Sequence, residues 1–164
     1  MPDPRFARTV IYMVSHDAQG AMGLVVNHGW GTGSLRSLLQ GFGVDAKADG
    51  PDAAATVRLY AGGPVEQGRG FVLHSTDYAG ASTRVIGSGV ALSADPDVLQ
   101  AMADGEGPRR HLILLGYAGW GPGQLESELA RDDWLTAPAD ANRVFSEDFE
   151  HLWEDILRSA GTPL

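Results

Sequence analysis

Four glycines and one proline follow the most apolar run of the chain. Residues 112–115 predict a buried strand and residues 124–131 predict a helix, so residues 116–123 predict a strand-to-helix corner. Glycines at such a corner let the backbone take positive φ and let another group approach closely. A second corner, Gly62-Gly63-Pro64, follows the strand predicted over residues 57–61. Any fold of this chain must accommodate both turns.

The remaining pattern predicts a chain rich in strands with a few helices. The order is not a regular alternation of strand and helix, which favours an α+β fold whose mixed or mostly antiparallel sheet curls into a partial barrel. The length of 164 residues predicts one domain over residues 1–164. Strands are predicted over residues 9–15, 21–27, 57–61, 70–74, 84–86, 90–93 and 111–117, and a short extended segment over residues 134–138. Helices are predicted to begin at Ser34, Asp95, Gln124 and Ser146. Residues 29–33 predict a break in the regular structure, and residues 43–55 predict an exposed loop.

Charge and composition exclude several function classes. The net charge is −9, from 12 basic and 21 acidic side chains, and the basic residues are scattered, which argues against direct nucleic-acid binding. The chain has no cysteine, so thiolate metal sites and cysteine nucleophiles are excluded. No apolar run approaches the roughly 20 residues of a membrane helix, and the first residues lack the pattern of a signal peptide. We therefore expect a cytoplasmic protein with no membrane association.

The glycine corner at residues 116–126 imitates a dinucleotide fingerprint only in part. Glu126 stands where the third glycine of that motif belongs, and the negative charges of Glu126 and Glu128 in the first helical turn repel phosphate. One alternative is a structural corner, with Trp120 packed over the core and Gln124 or Glu126 bonding loop amides. The other alternative is a site for a small polar ligand beside Tyr117 and Trp120.

Histidines and carboxylates give no recognisable catalytic or metal motif. The five histidines form no His-x-His or His-Glu-x-x-His pair, so no metal and no cofactor is expected. Glu66 follows the Gly62-Gly63-Pro64 corner, and His74 ends a predicted strand. A hydrolase using Glu66 or His74 as acid or base is the alternative function, and it requires both side chains to converge on one cleft.

Six segments of the chain match the motifs of a known family in order and spacing. They are residues 3–6, 9–12, 23–27, 62–65, 70–74 and 116–126. These segments resemble the YqgE/AlgH family of bacterial proteins. The resemblance implies an α+β fold with a branched sheet curled into a pseudo-barrel and flanking helices, and a role in transcriptional regulation without a known biochemical activity. The chain departs from the family pattern in two places: the apolar strand before Asp3 is missing, which would leave an open sheet edge, and His28-Gly29 stands in place of Arg-Pro.

The function that these observations favour is non-enzymatic binding of a small ligand or a protein partner, with regulation by an indirect route. Glycine turns and aromatic side chains coincide where the two corners would meet, so the site is predicted there. An open sheet edge would also allow a homodimer. The predicted ligand- or partner-binding residues are Arg5, Asn27, Gly62, Gly63, Pro64, Gly116, Tyr117, Gly119, Trp120, Gly121, Gln124 and Glu126.

Overall fold

The computed structural model describes residues 8–41, 56–146, 148 and 151–160. These residues form an eight-stranded sheet, nearly closed into a barrel, with helices packed against it. The predicted α+β fold with a curled, mixed sheet is confirmed. The elements are β1 (Ile11–Asp17), β2 (Gly20–Val25), β3 (Gly29–Ser34), α1 (Leu35–Gly41), β4 (Thr56–Ala61), β5 (Val65–His74), β6 (Arg84–Gly87), β7 (Val90–Ser93), α2 (Asp97–Ala103), β8 (His111–Trp120), α3 (Gln124–Ala130), α4 (Ala141–Val144) and α5 (Leu152–Ala160).

The sheet branches at β8. Its strand order is β1-β2-β8-β5-β7-β6, and β4 pairs with β8 off this path while β3 pairs with β4. One edge of β8 pairs with β5. The other edge of β8 pairs in parallel with β4 over residues 113–115. Further along, the same edge pairs antiparallel with β2 over residues 118–120. β4 must therefore leave β8 before β2 joins it.

The Gly62-Gly63-Pro64 corner lies at the point where β4 leaves. Gly62 N–H donates to the Leu115 carbonyl at 2.7 Å, and the Gly62 carbonyl accepts from Val25 N–H at 2.8 Å. Gly116 has φ of 78° in the middle of β8, a value that favours glycine. A Cβ on Gly116 would overlap the Gly63 carbonyl oxygen, and one on Gly63 would overlap the Tyr117 backbone. The two glycine corners thus form one backbone-to-backbone contact.

Alternating side chains of the central strands build a core on each face of the sheet. Leu112 and Leu114 of β8 point into the barrel, whereas Ile113 points to the opposite face. The barrel interior also buries Val144 of α4 and Leu152 of α5. The outer face packs against α1 and α2 through Leu35, Val98, Leu99 and Met102.

Several local predictions are confirmed. The two predicted hairpins are present as β1–β2 and β6–β7. The Ser34 hydroxyl accepts from Ser37 N–H at 3.1 Å and so caps α1. The Asp95 carboxylate accepts from Asp97 N–H at 3.1 Å where α2 begins.

Some local predictions are wrong or incomplete, and others lie partly outside the described residues. Residues 29–33 are not a break but form most of β3, because pairing with β4 compensates for the poor strand propensity of glycine. The strand predicted over 111–117 continues to Trp120, so the corner itself begins at Gly121. Residues 134–138 form no strand, and α4 was not predicted. The predicted loop at residues 43–55 lies outside the described residues, and the helix predicted from Ser146 is described from Leu152.

Within the part of the chain that the structure describes, no helix is long and apolar enough to cross a membrane.

Gly116→Ala should lower the free energy of unfolding by about 2 kcal/mol or more, because the positive φ and the overlap with Gly63 both resist a Cβ. Gly33→Ala is the matched control, since a Cβ there meets nothing within 4 Å, and its effect should stay within about 0.5 kcal/mol. Urea denaturation of both variants measures the difference. If both substitutions lower the free energy of unfolding equally, the contact between Gly63 and Gly116 does not constrain the fold.

Candidate functional site

A cleft with a volume of about 770 Å³ lies between the two ends of the open sheet. We call it the sheet-end cleft. Ile11, Tyr12 and Met13 of β1 form one wall, and Ile86 and Gly87 of β6 form another. Residues 132–140 and α5 close the remaining sides. The other apolar and aromatic side chains that line it include Val26, Trp120, Leu125, Leu129, Trp134, Leu135, Leu152, Trp153 and Ile156.

Two tryptophans share one carboxylate on the wall of this cleft. The indole N–H groups of Trp120 and Trp134 donate to the same Glu128 oxygen, at 3.1 and 2.7 Å. Their rings meet edge to face with centroids 5.9 Å apart. Because Trp120 is only 8% exposed, Glu128 satisfies an N–H that would otherwise be buried without a partner. The network fixes both rings in the wall of the cleft.

Gln124 and Glu126 hold the corner between β8 and α3. The Gln124 side-chain oxygen accepts from Gly121 N–H at 3.0 Å, and its amide donates to the second Glu128 oxygen at 3.0 Å. Glu126 hydrogen-bonds the His16 ring at 2.8 Å, and this bond holds the pKa of Glu126 below its usual range. Gln124 thus bonds a loop amide, as the structural-corner alternative predicts, whereas Glu126 bonds the side chain of His16.

The other predicted site residues are dispersed around the branch. Asn27 is buried and clamps the chain before β1, because its amide accepts from Val10 N–H and donates to the Arg8 carbonyl, both at 2.9 Å. Gly62, Gly63 and Gly116 are in backbone contact, which leaves no room for a ligand between them. Arg5 lies outside the described residues. Of the predicted residues that the structure describes, Trp120 alone lines the sheet-end cleft.

Tyr117 and Glu66 come together beside the branch. A hydrogen bond with Glu66 raises the pKa of the Tyr117 hydroxyl, and burial raises it further. Glu66 has φ of 47° and lies 3.6 Å from the Arg69 guanidinium. The Glu66 side chain is 53% exposed, so this cluster faces solvent rather than a cavity.

His74 belongs to a buried hydrogen-bonded chain. Its Nδ1–H donates to the Ser75 carbonyl at 2.8 Å, and its Nε2 hydrogen-bonds the Ser93 hydroxyl, also at 2.8 Å. Ser93 in turn bonds the Thr83 hydroxyl at 2.8 Å. His74 has no exposed surface and lies at the opposite end of β5 from Glu66. The convergence that the hydrolase alternative requires is therefore absent.

Sequence reasoning missed most of the sheet-end cleft. Ile86, Trp134 and Leu135 were read as strand or extended residues, and the apolar face of the last helix was read as core. Leu135 gave one signal in the sequence, because it is an apolar residue in a polar stretch. In the structure Leu135 is 60% exposed. Among the described residues no group of three or more histidines and carboxylates could hold a metal ion.

The AlgH-like family model, DUF179, matches residues 1–164. The chain belongs to this family. A UPF0301 protein of Methylococcus capsulatus is 55% identical over 164 residues, which span all of this chain and 87% of that protein. A UPF0301 protein of Afipia carboxidovorans is 47% identical over 170 residues, spanning all of this chain and 80% of that protein. These names state no reaction, ligand or partner.

Two solved structures share the fold. The solution structure of AlgH from Pseudomonas aeruginosa has a TM-score of 0.80 at 43% identity, covering 99% of this chain and 84% of that one. The crystal structure of a Corynebacterium diphtheriae protein has a TM-score of 0.71 at 22% identity, covering all of this chain and 82% of that one. The branched, curled sheet of this chain is thus the AlgH-like fold.

Glu128→Ala should lower the free energy of unfolding by about 2 kcal/mol, because it removes the shared acceptor of two indole N–H groups. It should also shift the tryptophan emission to longer wavelength as Trp134 becomes more exposed. Glu126→Ala, two residues away on the same helix, removes only an exposed pair with His16 and should leave both readouts nearly unchanged. A Glu128 variant that behaves like the Glu126 control would contradict the shared anchor.

Stability should fall as the pH drops below about 6.5. Burial holds the pKa of His28 and of His111 below 6.5, the ordinary value for histidine, and His74 lowers the pKa of His111 further. A depressed pKa contributes stability that is complete above the unfolded pKa and is lost as the pH falls through the folded pKa. Urea denaturation above and below pH 6.5 measures this, and His111→Gln should flatten the dependence. If the free energy of unfolding of His111→Gln falls with pH as steeply as that of the wild type, His111 is not the source of the pH dependence.

Proposed function

We propose that this AlgH-like protein is a non-enzymatic binding protein that takes an apolar ligand, or an apolar segment of a protein partner, into the sheet-end cleft. The observation that supports it best is the cleft itself, about 770 Å³ in volume with Trp120 and Trp134 held in its wall. Ligand sites commonly have volumes of about 300–1,000 Å³ and mostly apolar walls with few polar groups.

The lining of the cleft also includes charged and ionisable side chains, which are Arg8, His16, Asp132, Asp133, Asp140 and Arg143. Arg8 pairs with Glu154 at 2.7 Å and stacks over the Trp153 ring at 4.8 Å, and Arg131 pairs with Asp133 at 3.1 Å. Charged groups paired in this way leave the apolar interior free to bind by burial of apolar surface. They also offer sites at which an occupant's polar end could be oriented.

A regulatory role, in this proposal, is indirect. The net charge of −9 opposes contact with a phosphate backbone, so a regulator of this kind would act through its ligand or its partner. Direct DNA binding would instead give an affinity that falls steeply with salt. A cytoplasmic location and a homodimer remain predictions.

Ile86→Asp should abolish binding of an apolar fluorescent probe such as anilinonaphthalene sulfonate, because it places a charge in the apolar wall of β6. Val85→Asp is the matched control, since Val85 is the adjacent residue of the same strand and is 67% exposed outside the cleft. Trp120→Ala is less suitable, because Trp120 is also part of a buried cluster. Thermal unfolding of each variant verifies that it is folded.

Equal probe binding by the wild type and the folded Ile86 variant would refute the cleft as the site. Native mass spectrometry of protein purified gently from its host then identifies the occupant. A bound small molecule that the Ile86 variant lacks supports a ligand site, and a co-purified protein lost in the same variant supports a partner site. Retention of every adduct by the Ile86 variant would overturn the proposal.

A further inference from the structure

The hydroxyl of Tyr12 is a polar group set in the apolar wall of the sheet-end cleft. The Tyr12 side chain projects from β1, is 7% exposed, and belongs to the same buried cluster as Leu24 and Val26. A Cβ added to Gly87 of β6 would lie 2.9 Å from the Tyr12 hydroxyl oxygen. Tyr12 and Gly87 both line the cleft, so the tyrosine ring extends from one end of the sheet toward the other.

This hydroxyl has no hydrogen-bond partner among the residues that the structure describes. It keeps accessible surface, because the one unpaired side-chain atom sealed from solvent in that part of the chain is His111 Nδ1. Polar groups of buried residues are nearly always hydrogen-bonded, so an unpaired one that borders a cleft calls for an explanation. An occupant of the sheet-end cleft would supply the missing hydrogen bond.

Other polar groups in the cleft wall already have partners. The indole N–H groups of Trp120 and Trp134 both donate to Glu128. The Thr9 hydroxyl bonds the His28 ring, with 3.3 Å between Oγ1 and Nε2. The tyrosine hydroxyl differs from these groups, because the fold positions it without pairing it. It is therefore the group of the wall that we assign to contact with an occupant.

The surroundings of the hydroxyl define the charge of the group that it would bind. Burial raises the pKa of Tyr12, and no charged side chain of the described residues adds to that shift. The hydroxyl is thus protonated near pH 7, and it is able both to donate and to accept a hydrogen bond. A charged head group brought beside it would leave water without a counter-ion, which is costly, whereas an uncharged oxygen would not.

We propose that the sheet-end cleft binds an elongated apolar molecule with one uncharged hydrogen-bonding group, an alcohol or an ester, and that this group bonds the Tyr12 hydroxyl. The apolar chain of the molecule would lie against Ile86, Leu152 and Ile156, which line the same cleft. This inference rests on the proposed binding function of the cleft, and it adds the class of ligand and the residue that selects it.

The test is a titration of the full chain labelled with ¹³C at tyrosine Cζ, followed by nuclear magnetic resonance at pH 7. The chain has four tyrosines, and the Tyr12 signal is the one that Tyr12→Phe lacks. The probes are 1-octanol and octanoate, which share a chain length and differ in the charge of the head group. We expect a saturable shift of the Tyr12 signal with 1-octanol. Octanoate should leave that signal nearly unchanged, since its carboxylate stays in solvent.

Tyr12→Phe should weaken the affinity for 1-octanol about fivefold, which corresponds to the loss of one neutral hydrogen bond, and should leave that for octanoate unchanged. The variant should fold, because it removes no hydrogen bond within the described residues. Tyr78→Phe is the matched control, since Tyr78 packs on the outer core and does not line the cleft. Tryptophan fluorescence measures the affinities, because Trp120 and Trp134 lie in the wall.

Gly87→Ala is a second variant that keeps the hydroxyl. Its added methyl group would lie 2.9 Å from the Tyr12 oxygen and obstruct the approach of a head group. It should therefore weaken the binding of 1-octanol and leave that of octanoate nearly unchanged. Urea denaturation verifies that each variant is folded.

Several results would overturn the inference, and they are distinct from failure of the proposed function. If 1-octanol binds Tyr12→Phe as tightly as the wild type while Ile86→Asp abolishes its binding, the cleft remains the site and the Tyr12 contact is refuted. If octanoate shifts the Tyr12 signal as much as 1-octanol does, the selection of an uncharged group is refuted. If neither probe binds, this ligand class is refuted, and the anilinonaphthalene sulfonate measurement still decides whether the cleft is a binding site.

Discussion

The contact between the two glycine corners is the constraint on which the rest of the structure depends. β8 pairs along one edge with β4 and then with β2, and both cannot occupy that edge at the same level. Gly62 and Gly63 let β4 turn away while its backbone still bonds Leu115 and Val25. Gly116 accommodates this turn at positive φ without a side chain that would strike Gly63. The branch divides the sheet, and the two cores lie on its two faces.

The open ends of the sheet explain where the sheet-end cleft forms. The sheet curls around the inner core, but its end strands β1 and β6 pair only with β2 and β7 in the described part of the chain. The space between these ends is bordered by apolar side chains and covered by the segment from Asp132 to Asp140 and by α5. Apolar side chains that line a cleft rather than pack in the core are the physical basis of the proposed binding function.

The amino-acid sequence by itself determined much of the local structure and the family. Alternating apolar residues specified the hairpins and the central strands, Ser34 and Asp95 specified two helix starts, and glycine motifs specified the AlgH-like resemblance that the comparisons confirmed. Only the tertiary structure decided that residues 29–33 form a strand, that the glycine corners pack on each other, and that Trp120 lines a cleft together with Ile86 and Trp134. The reason is physical: a strand poor in propensity forms only when a partner supplies its hydrogen bonds, and a cleft consists of residues that become neighbours only when the sheet curls.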